Sequence, residues 1–253
     1  MKRLINSITK LLFVPLLLTN MAFAVDPLPS WNDTPSQPQV TAIDILLEPD
    51  ATMLKHAEAN NARLLAVFPK GFALDATHRP HITLVQRFVR TADLDKVYAA
   101  AGKVFASANV KAMKLEAFKY YYAPAGAVGV AGICAKPTPE NLKLQAEIIA
   151  AVQPFTVETG PISAFTAPHD DPATDAGLIQ YVSTFVPKMS GENFNPHVST
   201  GVAPISYLDK MLAEPFDSFT LCQPHSWIRC SLIHGFRFHS LSSFAAVPNG
   251  PSW

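Results

Sequence analysis

One pattern occurs twice in this chain: a proline, a histidine, an apolar residue and a hydroxyl residue, in that order. It lies in two ten-residue segments, RPHITLVQRF at residues 79–88 and NPHVSTGVAP at residues 195–204. In a β-strand, side chains two positions apart point to the same face of the sheet. Strands over these segments therefore present His81 with Thr83, and His197 with Ser199, with the neighbouring apolar residues on the opposite face.

Each motif also occupies the same place in a repeated order of predicted elements. Both halves of the chain read as strand, helix, Pro-His strand, helix and strand. The helix after each motif contains Leu-Asp-Lys, which begins 13 residues after His81 and 11 residues after His197. A short match in the same slot of two similar element orders indicates an internal duplication.

This order predicts an α+β fold with two related lobes, at roughly residues 39–125 and 126–245, which are intertwined. Each lobe is expected to hold an antiparallel sheet with helices packed outside, and a central cleft lies between the sheets. Asp50 and Thr138 are predicted helix N-caps. GLIQYVSTFV is predicted as a strand within a polar stretch from about residue 156 to 195, and FDSFTLCQPHSWIRCSLIHGFRF as a closing pair of strands.

If the lobes pack about a pseudo-twofold axis, the two histidine–hydroxyl pairs face one another across the cleft. Two histidines on opposite sides of a phosphate can act as general base and general acid, because imidazole titrates near neutral pH. Hydroxyl groups can donate hydrogen bonds to the phosphoryl oxygens as negative charge builds up on them. This chemistry requires neither a metal nor another cofactor.

The segments His81-Ile-Thr83-Leu and His197-Val-Ser199-Thr resemble the two H-x-[ST]-x motifs of the 2H phosphoesterase superfamily, which includes the RNA-ligase-like 2′,3′-cyclic phosphodiesterases. The resemblance covers roughly residues 40–244 and implies a bilobal duplicated fold. It also implies that His81 and His197 are catalytic and that Thr83 and Ser199 bind phosphate. The chain departs from the family at Thr200, where the fourth motif position is usually hydrophobic. The polar stretch before His197 has the character of an insertion at the cleft rim.

The leading hypothesis is therefore a metal-independent phosphodiesterase that acts on a cyclic nucleotide phosphate or a short 2′–5′-linked oligonucleotide. A non-catalytic protein that holds a phosphorylated ligand in the same cleft is the first alternative. A metal-dependent hydrolase that uses His78, His81 and His197 is the second. A serine hydrolase is disfavoured because the chain has no G-x-S-x-G segment.

The first residues have the order of a secretory signal peptide. A basic start is followed by an apolar run at residues 11–18 and by Ala22-Phe23-Ala24, a small-x-small cleavage site. We therefore expect residues 1–24 to be removed and the protein to be periplasmic or secreted, with no membrane attachment after cleavage. Residues 25–38 are predicted as a flexible linker and residues 246–253 as a tail.

Charge limits the class of partner. The whole chain has 20 basic and 20 acidic residues, and three basic residues lie in the leader, so the mature chain has a formal charge of −3. Proteins that bind long nucleic acids usually have a basic surface, because contacts with phosphate groups dominate the affinity for nucleic acid. We expect a small nucleotide or a nucleic-acid end as the partner, and a monomeric protein.

Three further points stay open from the sequence. Cys222 and Cys230 could bridge a hairpin, or all three cysteines, including Cys134, could be buried free thiols. Arg87 lies on the His81 face if its strand stays regular, and a solvated strand edge is its other interpretation. At least one of three consecutive tyrosines, residues 120–122, should be exposed and could stack on a base, and ordinary packing explains them equally well.

Overall fold

The computed structural model describes residues 39–75, 78–165, 172–222, 225–230 and 238–240. The segments predicted as signal peptide, linker and tail lie outside these described residues. The strands are β1 (Val40–Glu48), β2 (Ile82–Arg90), β3 (Lys114–Ala125), β4 (Val128–Ala135), β5 (Thr156–Val157), β6 (His197–Pro204), β7 (Phe219–Cys222), β8 (His225–Cys230) and β9 (Phe238–Ser240). The α-helices are α1 (Ala51–Val67), α2 (Leu94–Ser107), α3 (Pro139–Val152), α4 (Pro172–Met189) and α5 (Ile205–Leu212).

The strands form one antiparallel sheet in the order β7-β3-β4-β6-β2-β1-β8-β9, and β5 pairs with β2. The predicted α+β class is confirmed. The structure differs from the expectation of two sheets, because β2 and β6 join two groups of strands through a single pair, Ile82 with Val198. We call β1, β2, β8 and β9 the first half-sheet, and β3, β4, β6 and β7 the second half-sheet.

The half-sheets are interleaved along the chain. β3 follows the first motif in sequence and yet lies in the second half-sheet, whereas β8 and β9 return to the first. Helix α1 follows β1 and packs on β6, and α3 follows β4 and packs on β2. Segments from both predicted lobes, 39–125 and 126–245, therefore occur in each half-sheet.

The N-termini of helices α1 and α3 have the caps that the sequence predicts. The Asp50 side chain accepts a hydrogen bond from the Met53 backbone N at 3.2 Å, and Thr138 accepts one from the Asn141 backbone N at 3.2 Å. Each cap therefore satisfies one of the backbone donors that a helix start leaves unpaired. None of the helices in the described part of the chain is long and apolar enough to cross a membrane.

The segment GLIQYVSTFV is part of helix α4, so the prediction of a strand there is wrong. Its β-branched and aromatic residues favour a strand by composition. Their spacing is nevertheless helical, because Leu178, Val182, Phe185 and Met189 recur at intervals of four, three and four residues. These four side chains share one face of the helix, and that face lies against the candidate site.

The strands β7 and β8 do not pair with each other. β7 pairs with β3 and β8 pairs with β1, so the chain passes from the second half-sheet to the first between them. Cys222 ends β7 and is a free thiol, and Cys230 ends β8. At about 3.3 Å per residue along an extended strand, β8 carries Cys230 far from Cys222. The hairpin disulfide is therefore not formed.

Candidate active site

The structure brings the four predicted site residues together. His81, Thr83, His197 and Ser199 all line one cavity of about 380 Å³ at the junction of the half-sheets. The apolar residues between them, Ile82 and Val198, are fully buried in the main core on the other face. The alternation of faces that the sequence predicts is therefore present in both strands.

The antiparallel pairing at the junction sets the positions of the two motifs relative to each other. Ile82 pairs with Val198. In an antiparallel register, one residue further in each direction brings His81 across from Ser199 and His197 across from Thr83. Each histidine thus has a hydroxyl from its own motif two residues away and a hydroxyl from the other motif across the junction.

Both imidazole rings are held in the same way. Nδ1 of His81 lies 2.7 Å from the backbone oxygen of Arg79, and Nδ1 of His197 lies 2.7 Å from that of Asn195. A carbonyl oxygen only accepts hydrogen bonds, so Nδ1 carries the hydrogen and Nε2 is the nitrogen that can exchange a proton. The shared proline contributes to this geometry, because it restricts the residue before it to an extended conformation.

A β-bulge follows the hydroxyl residue in the first motif. Thr83 pairs with Leu46 and Val85 pairs with Ile45, so Leu84 is one residue too many for its partner strand. The second motif has the same irregularity, because the β4 partners of Ser199 and Gly201 are consecutive residues. A bulge changes which face the following side chains occupy.

The bulge in β2 decides the position of Arg87. Leu84 and Val85 are both in the core, and Gln86 takes the place after Thr83 on the cavity face that a regular strand gives to Val85, so Arg87 lies on the other face. Arg87 instead donates a hydrogen bond from Nη2 to Gln153 Oε1 at 2.9 Å, and burial lowers the pKa of its guanidinium. The strand is therefore not regular, and Arg87 does not lie on the His81 face.

The bulge in β6 explains the unusual Thr200. This side chain is 0% exposed, and its hydroxyl accepts a hydrogen bond from Asn60 Nδ2 at 2.7 Å. Its backbone oxygen accepts a second hydrogen bond from Asn61 Nδ2 at 2.9 Å. Both asparagines are buried in α1. The departure from the family pattern thus belongs to the docking of α1 on β6, where a polar residue has partners.

Asp44 is a site residue that sequence reasoning missed. It lies on β1 opposite Gln86 and is 0% exposed. Its Oδ2 accepts hydrogen bonds from Thr83 Oγ1 at 3.1 Å and Gln86 Nε2 at 3.3 Å, and lies 3.6 Å from His81 Nε2. An aspartate between isoleucines in an otherwise apolar strand is the signal that could have found it, because buried carboxylates need polar or charged partners.

The surroundings of His197 are different. The ring of Tyr121 lies 5.1 Å from the His197 ring, and Cys134 is the residue opposite His197 on β4. Within the described ranges, no carboxylate lies at ion-pair distance from His197. Burial lowers the pKa of His197, and its hydrogen bond to the Asn195 backbone opposes that shift in part. Neutral imidazole is therefore the favoured form of His197.

Cys134 lies beside the site without the character of a nucleophile. Burial raises the pKa of its thiol to about 11. The thiolate is the reactive form of cysteine, so Cys134 is unreactive near neutral pH. The buried side chain instead fills space beside His197.

The three consecutive tyrosines divide between two faces of β3. Tyr121 lines the cavity. Tyr120 packs edge-on against Phe216, and the Tyr122 hydroxyl donates to Asp209 Oδ1 at 2.7 Å, both on the opposite face. Tyr121 is therefore the tyrosine that can contact a ligand in the cavity.

Helix α4 forms an apolar wall of the cavity. Tyr181 joins the four apolar residues of the α4 face defined above. Burial raises the pKa of Tyr181 to about 12, and the charge of Asp44 contributes to the rise. Burial also raises the pKa of Tyr121. Both phenols therefore keep their hydrogens at neutral pH and can donate hydrogen bonds to a ligand.

His78 does not line the cavity with the two motif histidines. Its ring stacks on Phe72 at 5.0 Å, and its Nδ1 lies 3.7 Å from Asp75. Among the residues that the structure describes, no group of three His, Cys, Asp or Glu side chains could hold a metal ion.

The fold and the cavity together define an α+β protein with a two-histidine site at the junction of two half-sheets. No family model and no curated protein matches the chain. Among solved structures, the chain is similar to Usb1 from Kluyveromyces marxianus, with 12% identity, a TM-score of 0.38 and coverage of 81% of this chain and 100% of that one. The same protein with uridine monophosphate matches with 12% identity, a TM-score of 0.39 and coverage of 78% and 97%.

Proposed function

We propose that this protein is a phosphodiesterase in which His81 and His197 act as a general acid–base pair. The observation that carries the proposal is the shared geometry of the two rings. Each ring is anchored through Nδ1 to a backbone carbonyl and lines the same cavity, with hydroxyl groups beside it. The proposal is supported because the two nitrogens that can exchange a proton belong to residues lining one cavity of about 380 Å³, a volume typical of small-molecule sites.

We assign His197 as the base, because burial favours its neutral form, and His81 as the acid, because the Asp44 carboxylate lies 3.6 Å from its Nε2. Neutral His197 accepts a proton from an attacking water as the water oxygen forms a bond to phosphorus. The bond from phosphorus to the leaving oxygen breaks, and imidazolium His81 gives its Nε2 proton to that oxygen. The products are a phosphate monoester and a free hydroxyl, and the two histidines return to their starting forms by exchange with solvent.

The two motif hydroxyls differ in their hydrogen bonds in the absence of substrate. Ser199 has no hydrogen-bond partner among the described residues and faces the cavity, so its hydroxyl can donate to a phosphoryl oxygen. The Thr83 hydroxyl donates to Asp44 and has to leave that bond to donate to phosphate. Ser199 is accordingly the principal phosphate donor in this proposal, and Thr83 is the second.

The walls of the cavity favour a small substrate with one apolar or aromatic part. The α4 face and Tyr121 form a mainly apolar surface next to the polar motif residues. A base can stack on the Tyr121 ring while the phosphate reaches the histidines. We therefore propose a cyclic nucleotide phosphate or a short 2′–5′-linked oligonucleotide as substrate for an exported, monomeric enzyme.

Hydrolysis assays test this function directly. We expect the purified protein, with excess chelator, to open 2′,3′-cyclic nucleotides or to cleave short 2′–5′-linked oligonucleotides. Liquid chromatography of the products measures turnover. A protein that binds nucleotides saturably in calorimetry and gives no product after long incubation would instead be the binding protein of the first alternative. Activity that requires added metal would contradict the metal-independent reaction.

The acidic side of the pH–rate profile reports on the base. Because burial lowers the pKa of His197, this ring stays neutral as the pH falls through 6.5, the ordinary value for histidine. We expect kcat/KM to be retained at pH 6.5 and to fall only at lower pH, once His197 takes up a proton. A profile whose acidic half-point lies above pH 6.5 would contradict the assignment of His197 as the base.

A further inference from the structure

The surroundings of the two motif histidines differ in charge, although both rings are anchored in the same way. The carboxylate of Asp44 is fully buried and lies 3.6 Å from Nε2 of His81. That distance is too long for a hydrogen bond and short enough for a strong charge interaction. The position opposite His197 on β4 holds Cys134, a neutral thiol.

We propose that Asp44 is a positioning residue for His81: its carboxylate keeps the imidazole in the charged form that donates a proton to the leaving oxygen. A carboxylate within about 4–6 Å favours the protonated form of a histidine. Little water screens this interaction, because the aspartate side chain is 0% exposed. The catalytic consequence rests on the proposed phosphodiesterase function, whereas the effect on His81 does not.

Thr83 and Gln86 hold the carboxylate in place. Both donate to the same oxygen, Oδ2, which is also the oxygen nearest to His81. The bulge at Leu84 makes this arrangement possible, because it puts Gln86 on the cavity face opposite Asp44. Both donors are neutral, so they fix the orientation of the carboxylate and add no charge of their own.

Other charged and titratable residues lie on the elements next to His81. The loop before β2 contains Asp75 and His78, which lie close to each other, and Arg79, which forms an ion pair with Glu48 at the end of β1. Tyr181 of α4 and His197 of β6 line the same cavity, and Arg229 of β8 is the register partner of Asp44. Because several groups titrate or carry charge here, the test follows His81 itself.

The test compares wild type with Asp44→Asn by proton NMR titration of the histidine Cε1–H signals, without substrate. We expect His81 to lose its proton at higher pH than His197 in the wild type. In the variant the midpoint for His81 moves to lower pH, while that for His197 changes little. Asp209→Asn is the matched control, since it removes an exposed carboxylate that accepts a tyrosine hydrogen bond on the opposite face, and should leave His81 unchanged.

Activity gives the second measurement. The imidazolium form of His81 is lost as the pH rises. A variant in which His81 titrates at lower pH therefore loses its general acid at lower pH. We expect the alkaline limb of kcat to move to lower pH in Asp44→Asn by about one pH unit, with KM little changed, so that kcat falls about tenfold at a pH well above the wild-type midpoint. The acidic limb, which reports on His197, stays in place.

Two results would overturn the inference. One is a wild-type titration in which His81 loses its proton below His197, and this result does not depend on any variant folding. The other is a folded Asp44→Asn protein, checked by thermal unfolding, in which the midpoint for His81 is unchanged. A protein with the expected titration and no activity on any diester would refute the proposed function and leave the role of Asp44 intact.

Discussion

Replacement of either His81 or His197 with alanine is expected to lower kcat/KM for a cyclic phosphate by about 10²–10⁴-fold. Each ring lines the same cavity, and each carries out one of the two proposed proton transfers. Without His197 no base takes the proton from water, and without His81 the leaving oxygen departs as an unprotonated anion. Steady-state kinetics near neutral pH, with chelator present, measure the loss.

The double variant should cost little more than one replacement, because groups that act as a unit are not additive. His56→Ala is the control: this exposed histidine of α1 stacks on Phe219 at 3.9 Å, away from the cavity, and its loss should leave kcat/KM within a factor of about two. If either motif variant keeps activity within about threefold of wild type, the two-histidine mechanism is wrong.

Replacement of Ile82 with alanine is expected to lower the free energy of unfolding by about 2–5 kcal/mol. Ile82 is fully buried and forms the single strand pair that joins the half-sheets, with Val198 as its partner. The cavity left by the missing methyl groups lies directly behind the motif histidines. Urea denaturation followed by circular dichroism measures the change.

Two further substitutions are controls for the loss of packing at Ile82. Ile82→Val removes one methylene and should cost about 0.5–1.5 kcal/mol while the protein stays folded and active. Val67→Ala, at a side chain in the last turn of α1 that is 42% exposed, should change stability by less than about 0.5 kcal/mol. An Ile82→Ala protein as stable as the Val67→Ala protein would show that the junction is not part of the cooperative core.

Local physical rules predicted several features of the site. The period of two in a strand placed His81 with Thr83 and His197 with Ser199, and the structure has all four lining one cavity. The caps at Asp50 and Thr138 were also predictable, because a side-chain acceptor at a helix start acts within three residues. These features depend on residues close together in sequence, so they can be predicted from the order of residue types alone.

Other features depend on partners that are distant in sequence. The position of Gln86 follows from a bulge that appears only when β2 pairs with β1. Helix α4 has a strand-like composition, and its helical spacing acquires meaning once its apolar face lies against the cavity. Asp44 could be seen as unusual in its strand, but its neighbours Thr83 and His81 are about 40 residues away.

The sequence by itself determined the α+β class, the faces of the two motif strands and the residue types available for phosphate chemistry, because strand and helix periodicity are local properties of the chain. Only the tertiary structure decided that the half-sheets join at Ile82 and Val198 and that Asp44 lies beside one histidine and Cys134 opposite the other. Strand pairing and burial are set by the packing of distant segments. The difference in charge between the surroundings of His81 and those of His197 is therefore a property of the fold.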